Sequence, residues 1–289
     1  MKKFCLCFFI LLCFTPFGQS IAQVQLPQAS PAAYLKQTIG LTDIIVRYHA
    51  PSVKKRKIFG GLVPYGKIWR AGANEATLIS FTDDLFFNQE RVPAGTYSLF
   101  VIPDNDSTWN IVLNKDTTLW GLEGYNELDD VAYFTVKPQQ HTFTETMQFN
   151  FSEINTNTGN LNLIWESTKV SVPIETEIEK KALANIKQAI AKAKPDDWYT
   201  LAQCAEYMLP RKQHHQEALE WINKSIAIKE TFLNNWIKAR LYAQNNEFQM
   251  AATLTAKAIA LGSTDPEEYK TYAPDIESAY NDWKKHKMN

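Results

Sequence analysis

The stretch Phe143–Phe151, FTETMQFNF, decides how the first half of this chain folds. Its even positions are all polar, and its apolar residues fall on odd positions: Phe143, Met147, Phe149 and Phe151. Successive side chains of a β-strand point to opposite faces of the sheet. The period of two therefore predicts a strand with one buried face and one solvated face.

Other short apolar or alternating segments before residue 175 predict further strands in the same way. Turn residues separate them, as in Pro93-Ala94-Gly95 and Asn157-Thr158-Gly159-Asn160. Many short strands with no helical pattern between them are typical of a β-sandwich. We therefore predict an all-β sandwich over residues 30–174, with further strands at Ile44–His49, Thr77–Phe81, Tyr97–Ile102, Trp109–Leu113, Val131–Val136, Leu161–Trp165 and Val170–Ile174.

Helical periodicity begins after residue 174. Glu175–Lys194 carries Ile178, Ala182 and Ile186 at helical spacing, which predicts an amphipathic helix. Further along, Trp198 and Trp236 are each followed by similar small and apolar residues, and the interval between these two tryptophans is close to the tetratricopeptide period. This pattern resembles the helix pairs of tetratricopeptide repeats. We predict an all-α, tetratricopeptide-like array over residues 175–289, which ends in a capping segment that Pro274 interrupts.

A helical repeat array offers a concave face to a peptide or a partner domain, so this half of the chain predicts a protein partner. The alternative is that the helix pairs only extend the sandwich, since two units fall short of the three that arrays usually need. Cys204 lies on an apolar helical stripe and is predicted to be a core residue. The adjacent pair His214-His215 points in two directions, which argues against a metal site.

The first 22 residues read as a secretory signal. Lys2 and Lys3 precede an apolar run that is too short to span a bilayer, and Ser20 and Ala22 are the small residues that signal peptidase requires. We expect cleavage after Ala22, a linker over residues 23–29 and a periplasmic or secreted protein. The alternative is a lipoprotein anchored through Cys13. No later segment is apolar enough to predict a membrane span.

Cleavage would also change the cysteine count and the charge. Of the four cysteines only Cys204 would remain (4 − 3), so no disulfide within the mature chain is expected. Loss of Lys2 and Lys3 would leave 28 basic residues (30 − 2) against 31 acidic ones. This balance argues against a nucleic-acid partner, because phosphate binding needs a clustered basic excess.

The stretch Arg56–Thr77, RKIFGGLVPYGKIWRAGANEAT, follows neither helical nor strand periodicity. Its glycines and Pro64 predict bends, and Arg70 and Glu75 are close enough in sequence to face each other across one of them. In one interpretation Arg70 holds an anionic or carboxylate group inside a small polar pocket. In the other, Arg70 and Glu75 form a structural ion pair. The candidate ligand-binding residues are Arg56, Tyr65, Trp69, Arg70, Asn74, Glu75 and Thr77.

A second polar segment, residues 114–121, contains Lys115 and Trp120. In the functional interpretation these two side chains form the other lip of the same pocket. The alternative is an ordinary hairpin turn with Trp120 packed on an edge, because Asn and Asp frequently make turns.

Three blocks of this region resemble a family of uncharacterised bacterial secreted proteins, domain of unknown function 2911: GLTDIIVRYHAPSVKKRKIFGGLVPYGKIWRAGANEAT, VPAGTYSLFVIP and IVLNKDTTLWG. The resemblance spans residues 30–174. The family usually carries Gly-Arg-Lys and Arg-Thr-Gly, whereas here Lys55 precedes Arg56 and Ala71 follows Arg70. If the usual Thr hydroxyl contacts a ligand, that contact is weakened here. The resemblance implies no activity.

The sequence contains no HExxH, no GxSxG, no P-loop and no dinucleotide-binding glycine motif. We therefore expect no cofactor, no metal and no catalytic residues, and we interpret the chain as an exported binding or scaffolding protein. Two alternatives stay open. One is an envelope hydrolase that uses Glu75 as a general acid or base beside Arg70. The other is a purely structural module.

Overall fold

A computed structural model describes residues 26–105 and 108–288, and the predicted signal segment lies outside these ranges. The chain forms two compact units, one ending at Glu175 and one beginning at Thr176. The first unit consists mainly of strands and the second of helices, which confirms the predicted order of an all-β domain followed by an all-α domain. Across the described ranges, no helix combines the length and the apolar character needed to cross a membrane.

The strands of the first unit form two antiparallel sheets. One sheet has the strand order β1-β2-β3-β6-β7-β8, and the other has the order β5-β4-β10-β9. The strands are β1 (Ala32–Ile39), β2 (Thr42–His49), β3 (Thr77–Phe81), β4 (Leu85–Phe87), β5 (Glu90–Val92), β6 (Gly95–Ile102), β7 (Trp109–Asn114), β8 (Asp130–Val136), β9 (Pro138–Ser152) and β10 (Thr158–Thr176).

One hydrophobic core lies between the two sheets and contains residues of both. Ile44 and Ile79 enter it from the first sheet, and Met147, Leu163 and Trp165 enter it from the second. All five are at most 5 % exposed. Because the inner faces of two sheets bury the same core, this unit is a β-sandwich.

The long hairpin of β9 and β10 differs from the prediction in two ways. Leu161–Trp165 and Val170–Ile174 belong to one continuous strand, β10, rather than to two. Phe143, predicted on the buried face, is 61 % exposed. The pairing of β9 with β10 shifts register twice beyond Ile164. Such irregularities bend a strand, and here the bend places Phe143 outside the core.

The sequence patterns did not predict β1, β4 and β5. The last two have only three residues each, which is too short for a periodicity to be recognised. Strand β1 is an edge strand whose residues are mostly exposed or half-buried, so its sequence AAYLKQTI carries little apolar signal.

Loops cover part of the outer face of the six-stranded sheet. A small second cluster lies there, built from Ala76, Phe100, Val112 and Leu119. Phe100 and Val112 alternate with core residues along β6 and β7, so they point away from the main core. This cluster fixes residues 68–76 and 119–125 against the sheet, and these loops carry most of the predicted site residues.

The second unit has six helices in its described part: α1 (Ile178–Lys192), α2 (Trp198–Met208), α3 (His215–Ile228), α4 (Phe232–Gln244), α5 (Phe248–Leu261) and α6 (Pro266–Trp283). Helix α1 begins later than predicted because β10 continues through Thr176. The predicted interruption at Pro274 is wrong, because α6 continues through this residue. Helices α2 and α3 pack on each other as a pair, and so do α4 and α5.

The helix pairs repeat at a shorter interval than the two tryptophans indicated. Helix α2 begins at Trp198 and helix α4 at Phe232, four positions before Trp236. Ala205 and Ala239 are separated by the same interval as these two helix starts, and both are fully buried. Trp198 and Trp236 are therefore not equivalent positions, because only Trp198 begins its helix. The observed interval matches the period of tetratricopeptide repeats, which is about 34 residues. The assignment to that class stays a prediction.

Candidate functional site

The loop over residues 56–66 is held by its own side chains. Arg56 donates to two backbone carbonyls, from Nε to Val53 O (3.0 Å) and from Nη2 to Ser52 O (2.6 Å). The ring of Tyr65 lies over Gly60, where a Cβ would come within 2.4 Å of it. Gly60 also has φ +75°, so only glycine fits both the turn and the ring. Arg56 thus braces the loop, and Tyr65 remains 38 % exposed.

Two predicted site residues lie in the interior instead of a pocket wall. Trp69 is 8 % exposed, and its ring stacks on Trp165 with 5.8 Å between centroids. Thr77 is fully buried, and its hydroxyl donates to Ala71 O at 2.8 Å. Trp69 is therefore a core residue, and the Thr77 hydroxyl is used to close the bend that precedes β3.

Arg70 does not pair with Glu75, which corrects the ion pair expected from the sequence. Glu75 Oε2 lies 3.1 Å from His49 Nδ1. Within the described ranges, Arg70 forms no ion pair, and its Nε is buried without a hydrogen-bond partner. Burial lowers the pKa of the Arg70 guanidinium. Two left-handed residues, Ala71 (φ 52°) and Asn74 (φ 58°), lie between Arg70 and Glu75 and make the bend between them.

The second polar segment meets this bend at Trp120. Glu75 and Trp120 form an antiparallel β-bridge, and the Gly121 amide donates to Asn74 O at 3.2 Å. Trp120 is 59 % exposed. A Cβ at Gly121 would lie 3.9 Å from Arg70 Nη1, which places the guanidinium beside this glycine. The geometry thus groups four residues, which we call the Arg70–Trp120 site: Arg70, Asn74, Trp120 and Gly121.

Lys115 does not join this group. Its Nζ lies 2.9 Å from Asp129 Oδ1, with which it forms an ion pair. Asn74 donates from Nδ2 to Gln28 Oε1 at 3.3 Å, so part of its hydrogen-bonding capacity is already used.

A depression on the outer face of the six-stranded sheet was not anticipated. It has a volume of about 390 Å³ and includes Tyr34, Arg47, His49, Glu75 and Leu78 in its lining. We call it the outer-face depression. Of the predicted residues only Glu75 lines it. The sequence offered little indication of this depression. Tyr34 belongs to strand β1, which was not predicted, and no sequence pattern indicated that His49 pairs with the distant Glu75.

The helical unit carries a larger groove, of about 820 Å³, along α4 and α6. Trp236 and Trp283 stack there with 5.6 Å between ring centroids, and Arg240 pairs with Glu206 at 2.7 Å. Asp275 and Asp282, two helical turns apart on α6, line the groove as well. Residues at this spacing share one helix face, so both carboxylates face the groove.

In the described part of the chain, no group of three or more His, Cys, Asp or Glu side chains is arranged to hold a metal ion. Cys204 is buried, and burial raises the pKa of its thiol, which keeps the thiol protonated and unreactive.

The unpaired Arg70 side chain allows a stability test. Replacing Arg70 by Met removes a buried, unsatisfied donor and a partly desolvated charge but keeps the length of the side chain. We expect Arg70→Met to unfold at higher urea concentration than the wild type, with a gain of about 1 kcal/mol. A loss of stability in urea titrations followed by circular dichroism would instead make Arg70 a structural residue.

Comparison with known proteins identifies the first unit. No curated protein and no solved structure matches the chain. The family model DUF2911, described as a protein of unknown function, matches residues 30–174, which is half of the chain. The matched region contains the Arg70–Trp120 site and the outer-face depression. Through its β-sandwich domain, this chain belongs to the DUF2911 family.

Proposed function

We propose that this protein is an exported binding protein of the cell envelope. Its β-sandwich binds a small polar or anionic ligand at the Arg70–Trp120 site, and its helical unit binds a protein partner. The observation that carries the ligand site is the Arg70 guanidinium, whose Nε is buried and has no hydrogen-bond partner.

A desolvated cation is costly unless an opposite charge or hydrogen bonds compensate it. Among the described residues no carboxylate supplies that compensation to Arg70. A ligand with a carboxylate or phosphate would supply it, because the planar guanidinium matches such groups with two parallel hydrogen bonds. Gly121 lacks a side chain beside the guanidinium, and the preceding residue, Trp120, exposes an apolar ring.

The two alternatives fit the geometry less well. A structural module gains nothing from a partly desolvated cation without an opposite charge, and Arg70 forms no ion pair among the described residues. For the hydrolase alternative, the structure adds a second titratable group beside Glu75, because His49 pairs with it. In a catalytic histidine–carboxylate pair, however, the buried carboxylate orients an accessible histidine. Here the His49 side chain is 19 % exposed and that of Glu75 is 54 % exposed, which is the reverse order.

The ligand site is tested with two anions and a neutral sugar. We expect glucuronate or inorganic phosphate to bind the mature protein more tightly than glucose in calorimetric titrations. Arg70→Met should weaken anion binding about 10- to 100-fold, through loss of a charge-assisted hydrogen bond. Lys67→Met removes the same charge from an exposed position in the same loop and should leave binding unchanged. Equal weakening by both variants would indicate non-specific attraction and contradict the site.

Export is tested by expression in a bacterial host with a periplasm. We expect the protein in the periplasmic fraction with Gln23 as its first residue, and we expect Ala22→Leu to block processing, because signal peptidase requires a small residue there. The variant Cys13→Ala tests the lipoprotein alternative. If this variant releases a membrane-bound protein, the anchor is Cys13 and cleavage after Ala22 is wrong.

We propose that the partner binds in the groove along α4 and α6, where stacked aromatic rings lie beside charged groups. We expect Asp275→Lys/Asp282→Lys to lose a partner that the wild-type chain retains in pull-downs from envelope extract. The double variant Glu220→Lys/Glu267→Lys makes the same charge change at exposed positions outside the groove lining and should retain the partner. Retention by both variants would place recognition elsewhere.

A further inference from the structure

The outer-face depression is created by strand register. Tyr34 pairs with Arg47, and Arg47 pairs with Leu78, so these side chains form one row across β1, β2 and β3. His49 pairs with Ala32 in the next row, and Ala76 continues that row beside β3. Residues two apart on a strand point to the same face and lie about 7 Å apart.

The side-chain sizes in the two rows explain the concave shape. Tyr34 and Leu78 are large, whereas Ala32 and Ala76 each carry a single methyl group. The row that contains Ala32 and Ala76 is therefore lower, at these two positions, than the row of Tyr34, Arg47 and Leu78 beside it, and Glu75 also lines the depression. The resulting volume of about 390 Å³ is large enough for a small ring-bearing molecule.

Some polar groups of the depression form ion pairs and others do not. His49 and Glu75 pair with each other at 3.1 Å. Arg47 lies with its Cζ 5.8 Å from the centroid of the Tyr34 ring. Over residues 26–105 and 108–288, Arg47 forms no salt bridge. The depression therefore combines apolar lining with one exposed cation, Arg47, that forms no salt bridge, and with the His49–Glu75 pair.

We propose that the outer-face depression binds a small carboxylate that carries a planar apolar ring. The ring packs against the apolar side chains of the lining, among them Tyr34, Leu78 and the alanines, and the carboxylate accepts hydrogen bonds from the Arg47 guanidinium. This site is separate from the Arg70–Trp120 site, because Arg70 does not line the depression. The inference goes beyond the proposed function, and it does not depend on ligand binding at Arg70.

The experiment compares two probes of the same shape, 2-naphthoate and the neutral 2-naphthamide, in calorimetric titrations of the full mature chain. We expect 2-naphthoate to bind about tenfold more tightly, since only the carboxylate forms charge-assisted bonds with Arg47. Arg47→Met should remove that difference, and Arg47→Lys should keep part of it. Tyr34→Ala should weaken both probes, because each loses the same apolar wall.

Two further variants test whether the probe binds at other arginines. Arg91→Met removes an exposed arginine elsewhere on the sandwich, and Arg70→Met removes the cation of the Arg70–Trp120 site. Arg91→Met should bind 2-naphthoate like the wild type. The Arg70–Trp120 site is itself proposed to bind carboxylates, so the titrations are repeated in Arg70→Met, where the preference for 2-naphthoate over 2-naphthamide should persist and should still depend on Arg47. The inference is overturned if the two probes bind equally, if neither binds at millimolar concentration, or if Arg91→Met weakens binding as much as Arg47→Met. Loss of binding in Arg70→Met alone would assign the probe to the other site.

Discussion

The stack of Trp69 on Trp165 is the contact on which the sandwich and its loop both depend. Trp165 belongs to the four-stranded sheet, and Trp69 exchanges two 2.8 Å backbone hydrogen bonds with Val101 of the six-stranded sheet. The ring of Phe59, from the same irregular loop, contacts both indoles. Aromatic burial of this size dominates the energetics of a core. A loop without regular structure is therefore anchored as firmly as a strand.

This anchoring explains how Arg70 can be held in an unfavourable position. Its neighbours Trp69 and Ala71 are both buried, so the backbone on either side of Arg70 is fixed by packing. The guanidinium is then partly desolvated without a carboxylate to balance it. Natural proteins tolerate locally destabilising groups mainly where those groups have a functional role. The favourable packing of the core compensates for the lost stability.

Local patterns were sufficient for much of the fold. Alternation along β2, β3, β6, β7 and β8 predicted strands close to their observed bounds, and helical spacing after residue 174 predicted the change to an all-α unit. The candidate site was harder to predict. Arg70, Asn74 and Trp120 come together, but Trp69 and Thr77 are interior residues, and Lys115 pairs elsewhere. A glycine-rich loop has no periodicity that distinguishes its buried side chains from its exposed ones.

The amino-acid sequence by itself determined the all-β then all-α order, because periodicities of 2 and 3.6 are properties of residues that are close in the chain. The tertiary structure alone decided that Glu75 meets His49 rather than Arg70, and that Tyr34, Arg47 and Leu78 share one row. These contacts depend on the register between strands distant in sequence. The alternation along each strand fixes which side chains face the core, but a shift of two residues keeps the same faces, so the local pattern alone does not determine which residues become cross-strand partners.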